Sequence, residues 1–510
     1  MSRVDLFEAA GSLERNSMHE SQVLHDGPRK SLLLGFVGLL GVTLFLVSIT
    51  GLPDFDDNEY RLAAFVIDVI RNGNWICPHD AYGTVISKPP LLAWLAAVST
   101  LPFGVLNQFS LYIPSALALI GIALLLLREG RERFGWRAGL WAALAYLLCP
   151  LADRHLTTAR YDVLFAFGVT WGAFSAFRAW ERGKGWTEFW LAATFATMAK
   201  GPLALPLAAS GLAAAYWESL SAQPWRVKGS HLSGVLVFLS VTGGWFGLAY
   251  WQEGQVLVHR MIGGELMGHA MGKGSVAIGT GVLRTLRTFF SNFLPWSLLL
   301  FPAGWRILRH PAQDPNERRF ERFVFCWFAA SILIFSLGAH QRFRLLHPVL
   351  PPSALLAGRE AARLTRRLRP GRFLGFIAGL SGTALLALFV YHHILLGDSR
   401  SVRETVAGRH IAASIRSMVD SGTPVFFAPA TPFAVQFYLN RSDQEVSHEK
   451  AVEILRTDET AILVTMDVAK LLEIAGPEGL PLRMLAEAEI PEEGTLRAVQ
   501  SQKQESNSLS

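Results

Sequence analysis

The sequence predicts an α-helical polytopic membrane protein of about eleven spans, followed by a small α/β domain. Three observations predict it. Of 510 residues, 51% are hydrophobic and only 17% are charged, against about 25% charge in ordinary soluble domains. Apolar runs long enough to approach a bilayer crossing recur along the chain. After Leu396 the composition changes, and short β-branched runs alternate with helical patterns.

Residues 1–28 are polar, carry acids and do not resemble a cleavable signal peptide, so they read as a cytoplasmic tail. Residues 29–397 form the transmembrane unit. Its candidate spans are 31–51, 110–127, 138–151, 163–178, 187–199, 202–219, 232–252, 288–305, 323–339, 345–358 and 373–396. Basic residues set the orientation. Arg29 and Lys30 precede the first span and place it N-terminus inside. The clusters at Arg128–Arg137, Arg178–Lys184, Arg226/Lys228, Arg306–Arg322 and Arg359–Arg372 then fall in every second connection. A further apolar segment, Lys88 to Gly104, would invert every later loop if it crossed, so it is laid on the outer interface within a first outer loop at 52–109. In "GTPVFFAPA" and "TAILVTMDV" we read strands, and in "VRETVAGRHIAASIRSMVD" and "VAKLLEIAG" helices. These make residues 398–498 an extracytoplasmic α/β domain, with 499–510 a disordered polar tail.

This topology collects the unusual polar residues on the outer side. The first outer loop opens with Asp54, Asp56, Asp57 and Glu59 and contains Lys88. The second holds Arg160 and Asp162, the third is the bare "KGP" at Lys200, the fourth contains His259, Glu265 and His269, and the fifth is "HQRFR" with Arg342 and Arg344. Each has a structural reading: acids before a helix can cap it, Lys88 and Lys200 can reach toward headgroups, and Arg160 and Asp162 can pair locally. Capping accounts for one or two acids and not for four. The spans themselves carry almost no charged residues, unlike those expected of an ion-coupled transporter. Cys77, Cys149 and Cys326 show no metal-ligand spacing, and the two histidines ten residues apart make a weak metal pattern. No cofactor is therefore required, and a divalent ion (Mg²⁺, Mn²⁺ or Zn²⁺) remains open. No nucleic-acid partner is indicated.

Carboxylates, several cations and lipid at one interface suit glycosyl transfer from a lipid-linked phosphosugar. A carboxylate can deprotonate the acceptor hydroxyl, and Lys and Arg can stabilise charge on a departing phosphate. The absence of Walker or Rossmann glycine patterns argues against a soluble nucleotide donor.

The stretch "DDNEYRLAAFVIDVIRNGNWICPHDAYGTVISKPPLLAWLAAVSTLPFG" resembles the first outer loop of bacterial GT-C glycosyltransferases, relatives of the protein O-mannosyltransferases and of the lipid A aminoarabinose transferase. "TTARYDVLFAF", "AKGPLALPL" and "QRFRLLHPVLPPSALLAG" resemble three later segments of that family, in order. The resemblance covers about residues 30–400. It implies a GT-C-like fold, a catalytic carboxylate among Asp57, Asp56 and Glu59, and a donor phosphate or sugar held by Lys88, Arg160, Asp162, Lys200, Arg342 and Arg344, with His259, Glu265 and His269 as further contacts. Three positions depart from the family pattern. Asn58 stands where the key Asp is usual, Ser87 replaces a Glu implicated in metal binding in some relatives, and Leu345 replaces a Tyr. The implied activity moves a sugar from a polyprenyl-phosphate-linked donor to a lipid, glycan or protein acceptor on the outer face of the bacterial inner membrane. A lipid-glycan translocase is the alternative.

Overall fold

The computed structural model describes residues 28–50, 57–80, 83–150, 159–219, 229–261, 278–337, 343–395, 400–418, 423–429, 431, 433–439, 445–476, 479–490 and 494–502. The apolar runs are helical. In chain order the bundle contains α1 (Lys30–Thr50), α2 (Asp57–Asn72), α3 (Leu91–Thr100), α4 (Gln108–Phe134), α5 (Trp136–Leu147), α6 (Tyr161–Arg182) and α7 (Trp186–Lys200). It continues with α8 (Ala204–Ala209), α9 (Ala213–Ser219), α10 (Leu232–Phe238), α11 (Gly244–Glu253), α12 (Gln255–Val258), α13 (Ile278–Asn292), α14 (Leu300–Arg309), α15 (Pro315–Ser336), α16 (Leu350–Leu364) and α17 (Pro370–Val390). Five of the described helices, counting α10–α11 as one and extending α17 to Leu395, are long and apolar enough to cross a membrane by length and composition.

Small residues let these helices approach closely, as packing between apolar helices in lipid requires. A Cβ on Gly358 of α16 would sit 2.5 Å from the Ala142 nitrogen of α5, and one on Gly168 of α6 would meet the Ala196 Cβ of α7 at 2.7 Å. α10, α11 and α17 instead expose apolar side chains such as Leu236, Phe376 and Leu386, surfaces suited to lipid. Helix α3, ten residues long, rises about 15 Å, half a hydrocarbon core of about 30 Å. It is too short to span alone.

Ion pairs show how the helix ends are sorted. Arg133 of α4 grips Glu181 of α6 with two hydrogen bonds of 2.7 and 2.6 Å. Arg178 reaches Glu129 of α4 at 2.5 Å and Glu188 of α7 at 2.8 Å. Arg359 of α16 holds Glu317 and Glu321 of α15 at 2.7 and 2.5 Å. Arg306 of α14 meets Glu360 at 2.7 Å, and Lys30 of α1 meets Glu132 at 3.3 Å. One end of the bundle therefore gathers the start of α1, the end of α4, the end of α6, the start of α7, the start of α15 and the end of α16. The ends of α1 and α17 meet at the other, where His393 Nε2 lies 3.3 Å from the Val47 carbonyl. Glu129, Glu321, Arg359 and Glu360 are buried just beyond the expected spans, because the helices run past the apolar stretches and close this Arg-rich end with pairs.

The C-terminal region contains α18 (Arg400–Met418), β1 (Val425–Phe427), α19 (Phe433–Leu439), α20 (His448–Thr457), β2 (Ile462–Thr465), α21 (Val468–Ala475), β3 (Leu482–Ile490) and β4 (Gly494–Ser501). The sheet order is β1-β2-β4-β3, with β1 and β2 parallel and the other pairs antiparallel. One face packs Phe427, Val464 and Ala498 against Ile411, Ile415 and Val435, and the other packs Leu463 and Val499 against Ala451, Leu455 and Leu471. β2, with the sequence Ile-Leu-Val-Thr, is buried on both faces, as a central strand covered on both sides should be. β4 runs through Ser501, past the expected domain end at 498, because Gln500 pairs with Ile462. Residues 503–510 lie outside the described residues.

Candidate active site at the polar end of the bundle

Helix α2 begins at Asp57, so Asp57 and Glu59 occupy its first turn, where the helix macrodipole favours negative charge. Asp56 and the side chains of Asp57 and Glu59 lie outside the described residues. Farther along, α2 is tied into its own loop. Arg61 donates to Asp80 Oδ2 at 2.6 Å, and the Thr84 N–H donates to Asp80 Oδ1 at 2.8 Å. Asp68 accepts from Asn72 at 2.7 Å, from Asn74 at 3.0 Å and from the His79 N–H at 2.8 Å. The His79 ring then faces Glu253 at the end of α11, with Nε2 to Oε1 3.4 Å. Both aspartates are buried with several donors each, as buried carboxylates require.

Lys88 leaves this loop just before α3 and places its ammonium 5.4 Å from the centre of the Tyr161 ring, an attractive cation–π distance. Tyr161 opens α6. Arg160 before it is extended, and its backbone N–H donates to Ser115 Oγ at 3.4 Å. Asp162, in the first turn of α6, is paired with Lys200, the last residue of α7. Each charge sits at the helix end its sign favours, and the close approach of Gly168 to Ala196 brings the two helices into reach. The Lys200 ammonium also lies 5.6 Å from the Phe165 ring centre. The "KGP" motif has a local cause: Gly201 adopts φ 131°, a conformation that side-chain-bearing residues avoid, and Pro202 cannot continue α7.

The first turn of α6 thus receives two lysines from other connections, Lys88 over Tyr161 and Lys200 on Asp162. Arg344 lies on a 3₁₀ turn (Phe343–Val349) that packs against α6. Arg342, Glu265 and His269 fall outside the described residues. His259 is exposed, one residue past α12. Among the described residues no three His, Cys, Asp or Glu side chains gather as a metal site. Sequence reasoning missed the partners Tyr161, Arg61, Asp68, His79 and Asp80; a tyrosine beside the Arg–x–Asp segment was the available signal for the first. Cys77, packed beneath the loop, has its thiol pushed up to about 12, by burial first and by the Glu253 carboxylate second.

The comparisons with known proteins agree on the fold. The family model "Dolichyl-phosphate-mannose-protein mannosyltransferase" matches residues 87–245, the stretch from Ser87 to α11. The crystal structure of ArnT from Cupriavidus metallidurans bound to undecaprenyl phosphate superposes with a TM-score of 0.69 at 18% identity, covering 91% of this chain and 98% of that one. The chain has a GT-C-like fold. With it goes a multi-pass helical membrane bundle and a C-terminal sheet domain. The undecaprenyl phosphate-α-4-amino-4-deoxy-L-arabinose arabinosyl transferase 1 of Pseudomonas fluorescens is 27% identical over 346 residues, 65% of this chain and 61% of that protein. The similarly named transferase of Enterobacter sp. is 25% identical over 385 residues, 71% of this chain and 66% of its own length. The match therefore spans less than two thirds of either relative.

Proposed function

We propose that this chain is a GT-C glycosyltransferase that transfers a sugar from a polyprenyl-phosphate-linked donor to an acceptor hydroxyl at the polar end of its bundle. The observation that carries this reading is that Lys88 over Tyr161 and Lys200 on Asp162 bring two lysines from separate connections to the first turn of α6, at the end where α2 begins with its acids. The donor class is supported by relatives named for undecaprenyl phosphate-linked arabinose and by a fold neighbour bound to undecaprenyl phosphate.

In this scheme Asp57, or Asp56 beside it, takes the proton of the acceptor hydroxyl as general base. The acceptor oxygen bonds to the anomeric carbon while the bond from that carbon to the donor phosphate oxygen breaks. The phosphate departs with the electron pair, and Lys88, Arg160, Arg342 and Arg344 offset its added charge. Asp162 holds Lys200 in place, and the Tyr161 ring orients Lys88. Glu59 follows the base in the chain, and His259, Glu265 and His269 belong to the loop that would border the acceptor. Ser87 in place of a carboxylate leaves the first-loop acids as ligands for any Mg²⁺, Mn²⁺ or Zn²⁺, and a chelator is expected to leave turnover near the parental rate.

The Arg-rich end is assigned to the cytoplasm by the positive-inside rule, which puts the C-terminal domain outside the bacterial inner membrane with the site. The acceptor is a lipid, a glycan or a protein. The test pairs mass spectrometry of lipid and glycan extracts from a deletion strain with the purified protein and a polyprenyl-phosphate sugar. Loss of one glycosylated species in the strain, and donor cleavage in vitro, are expected. Substrate crossing the bilayer with its phosphate–sugar bond intact would replace this reading with translocation.

A further inference from the structure

We infer that the C-terminal α/β domain is a positioning element for the transfer site, acting through Phe437 on the helix that begins at Asp57. The inference rests on the transferase reading above.

Helix α19 lies between two cores. Val435 and Leu439, one turn apart, pack into the domain's own core with Ile411 and Val464. Phe437 faces away from them, is 4% exposed, and joins the core of the helix bundle. Its ring meets Tyr60 edge-on, with centroids 6.1 Å apart and planes at 62°, a favoured aromatic geometry. Tyr438 touches both cores and carries the Arg409 guanidinium 5.4 Å from its ring centre. Among the described residues, α19 on α2 is the principal contact between the domain and the bundle.

The place of this contact gives it consequence. Tyr60 lies one turn after Asp57, and residues three apart on a helix are neighbours. The first turn is also the part of a helix whose amide groups lack intrahelical partners, so it depends most on what packs against it. The ties through Arg61 and Asp68 hold the later turns of α2, while Phe437 covers the first. A seven-residue helix is too short to persist alone. Its position is set by the domain core, and the domain thereby sets the position of the acids. A shift of about 1 Å in a reacting group can cost about 10²-fold in rate.

The test uses the full chain in lipid nanodiscs, with two readouts: amide hydrogen exchange across residues 57–72, and steady-state turnover of a polyprenyl-phosphate sugar. Phe437→Ala is expected to speed exchange in the first turns of α2, leave the rest of the bundle protected, and lower kcat by about 10–10²-fold with the donor KM unchanged. Phe437→Leu, which restores apolar volume, is expected to recover most of both. Should Phe437→Ala fail to fold, Tyr60→Leu removes the ring contact from the α2 side and carries the same expectation. Parental kcat in folded variants, exchange in α2 that does not change, or a loss of turnover that only follows protein abundance would each overturn the positioning role. A parent protein that transfers no sugar would overturn the transferase reading itself, a different result from an active parent whose Phe437→Ala variant keeps its rate.

Discussion

At the Arg-rich end, Arg359 closes on Glu317 and Glu321 with its side chain only 5% exposed and that of Glu321 fully buried. At the polar end, the paired Lys200 and Asp162 keep 20% and 12% exposure, and Lys88 rests on the face of a tyrosine. The first end uses the arginine fork, which locks planar carboxylates from two directions. At Asp162 the second uses lysine, a compact cation on a flexible stem that can follow a ligand. Both ends pair their buried charges. One does so as a clamp between helices, the other in a place that water can reach. Substitutions at the two ends should therefore fail differently, in stability at one and in turnover at the other.

The sharpest break of that contrast is expected at the first turn of α2. Asp57→Asn preserves shape and capping ability, since Asn caps about as well as Asp, while removing the base. Turnover should fall by about 10²–10⁴-fold with expression nearly unchanged, and Asp56→Asn belongs beside it. A pure helix cap predicts parental turnover from both. Next comes Lys88→Ala, expected to cost about 10²–10³-fold, the scale of losing one group that stabilises developing negative charge. Lys88→Arg should restore only part of the rate, because a planar guanidinium does not reproduce a point charge over Tyr161.

Arg359→Ala tests the other end. It leaves the buried Glu321 without its cation, a change worth about 3–5 kcal/mol of stability, readable as a lower melting temperature in detergent. Turnover per folded molecule should stay at the parental level. A large loss of turnover in the folded fraction would mean that the two ends are coupled. The smallest effect concerns packing under the loop. With the Cys77 thiol raised to about 12, the thiolate is scarce at pH 8, and alkylation should run on the order of 10³-fold slower than in the unfolded chain. The sign follows: reactivity rises as pH climbs toward the folded value. Because burial outranks Glu253 as the cause, Glu253→Gln should change the rate only modestly. Fast alkylation in the native protein would show a loosely packed polar end.

Much of this molecule was legible in the chain. The helices of the bundle follow from apolar runs that need to bury their backbone polar groups, and the sorting of Arg and Lys into alternate connections anticipated the gathered ion pairs at one end. The places of Lys88, Asp162 and Lys200 at helix ends were also legible, because prolines, glycines and abrupt polarity mark them. The hairpin β3–β4 was not legible: "LRMLAEAEI" is rich in Ala, Leu and Glu, which favour helix, and it becomes a strand only by pairing with β4. The buried glutamates were missed because hydropathy counts a charge as an end of a span, whereas an arginine from a neighbouring helix lets the helix continue.

The sequence by itself determined that this is a membrane-spanning helical protein with acids and cations at the ends of its apolar runs, because local composition decides which segments leave water. Tertiary structure alone decided which of those charges meet. Asp162 reaches Lys200 where glycine and alanine let α6 and α7 approach, and Lys88 reaches Tyr161 from a connection more than seventy residues earlier in the chain. Phe437 meets Tyr60 only because α19 is held between two cores. Such contacts depend on packing between residues distant in the chain, and no local pattern of residue types records them.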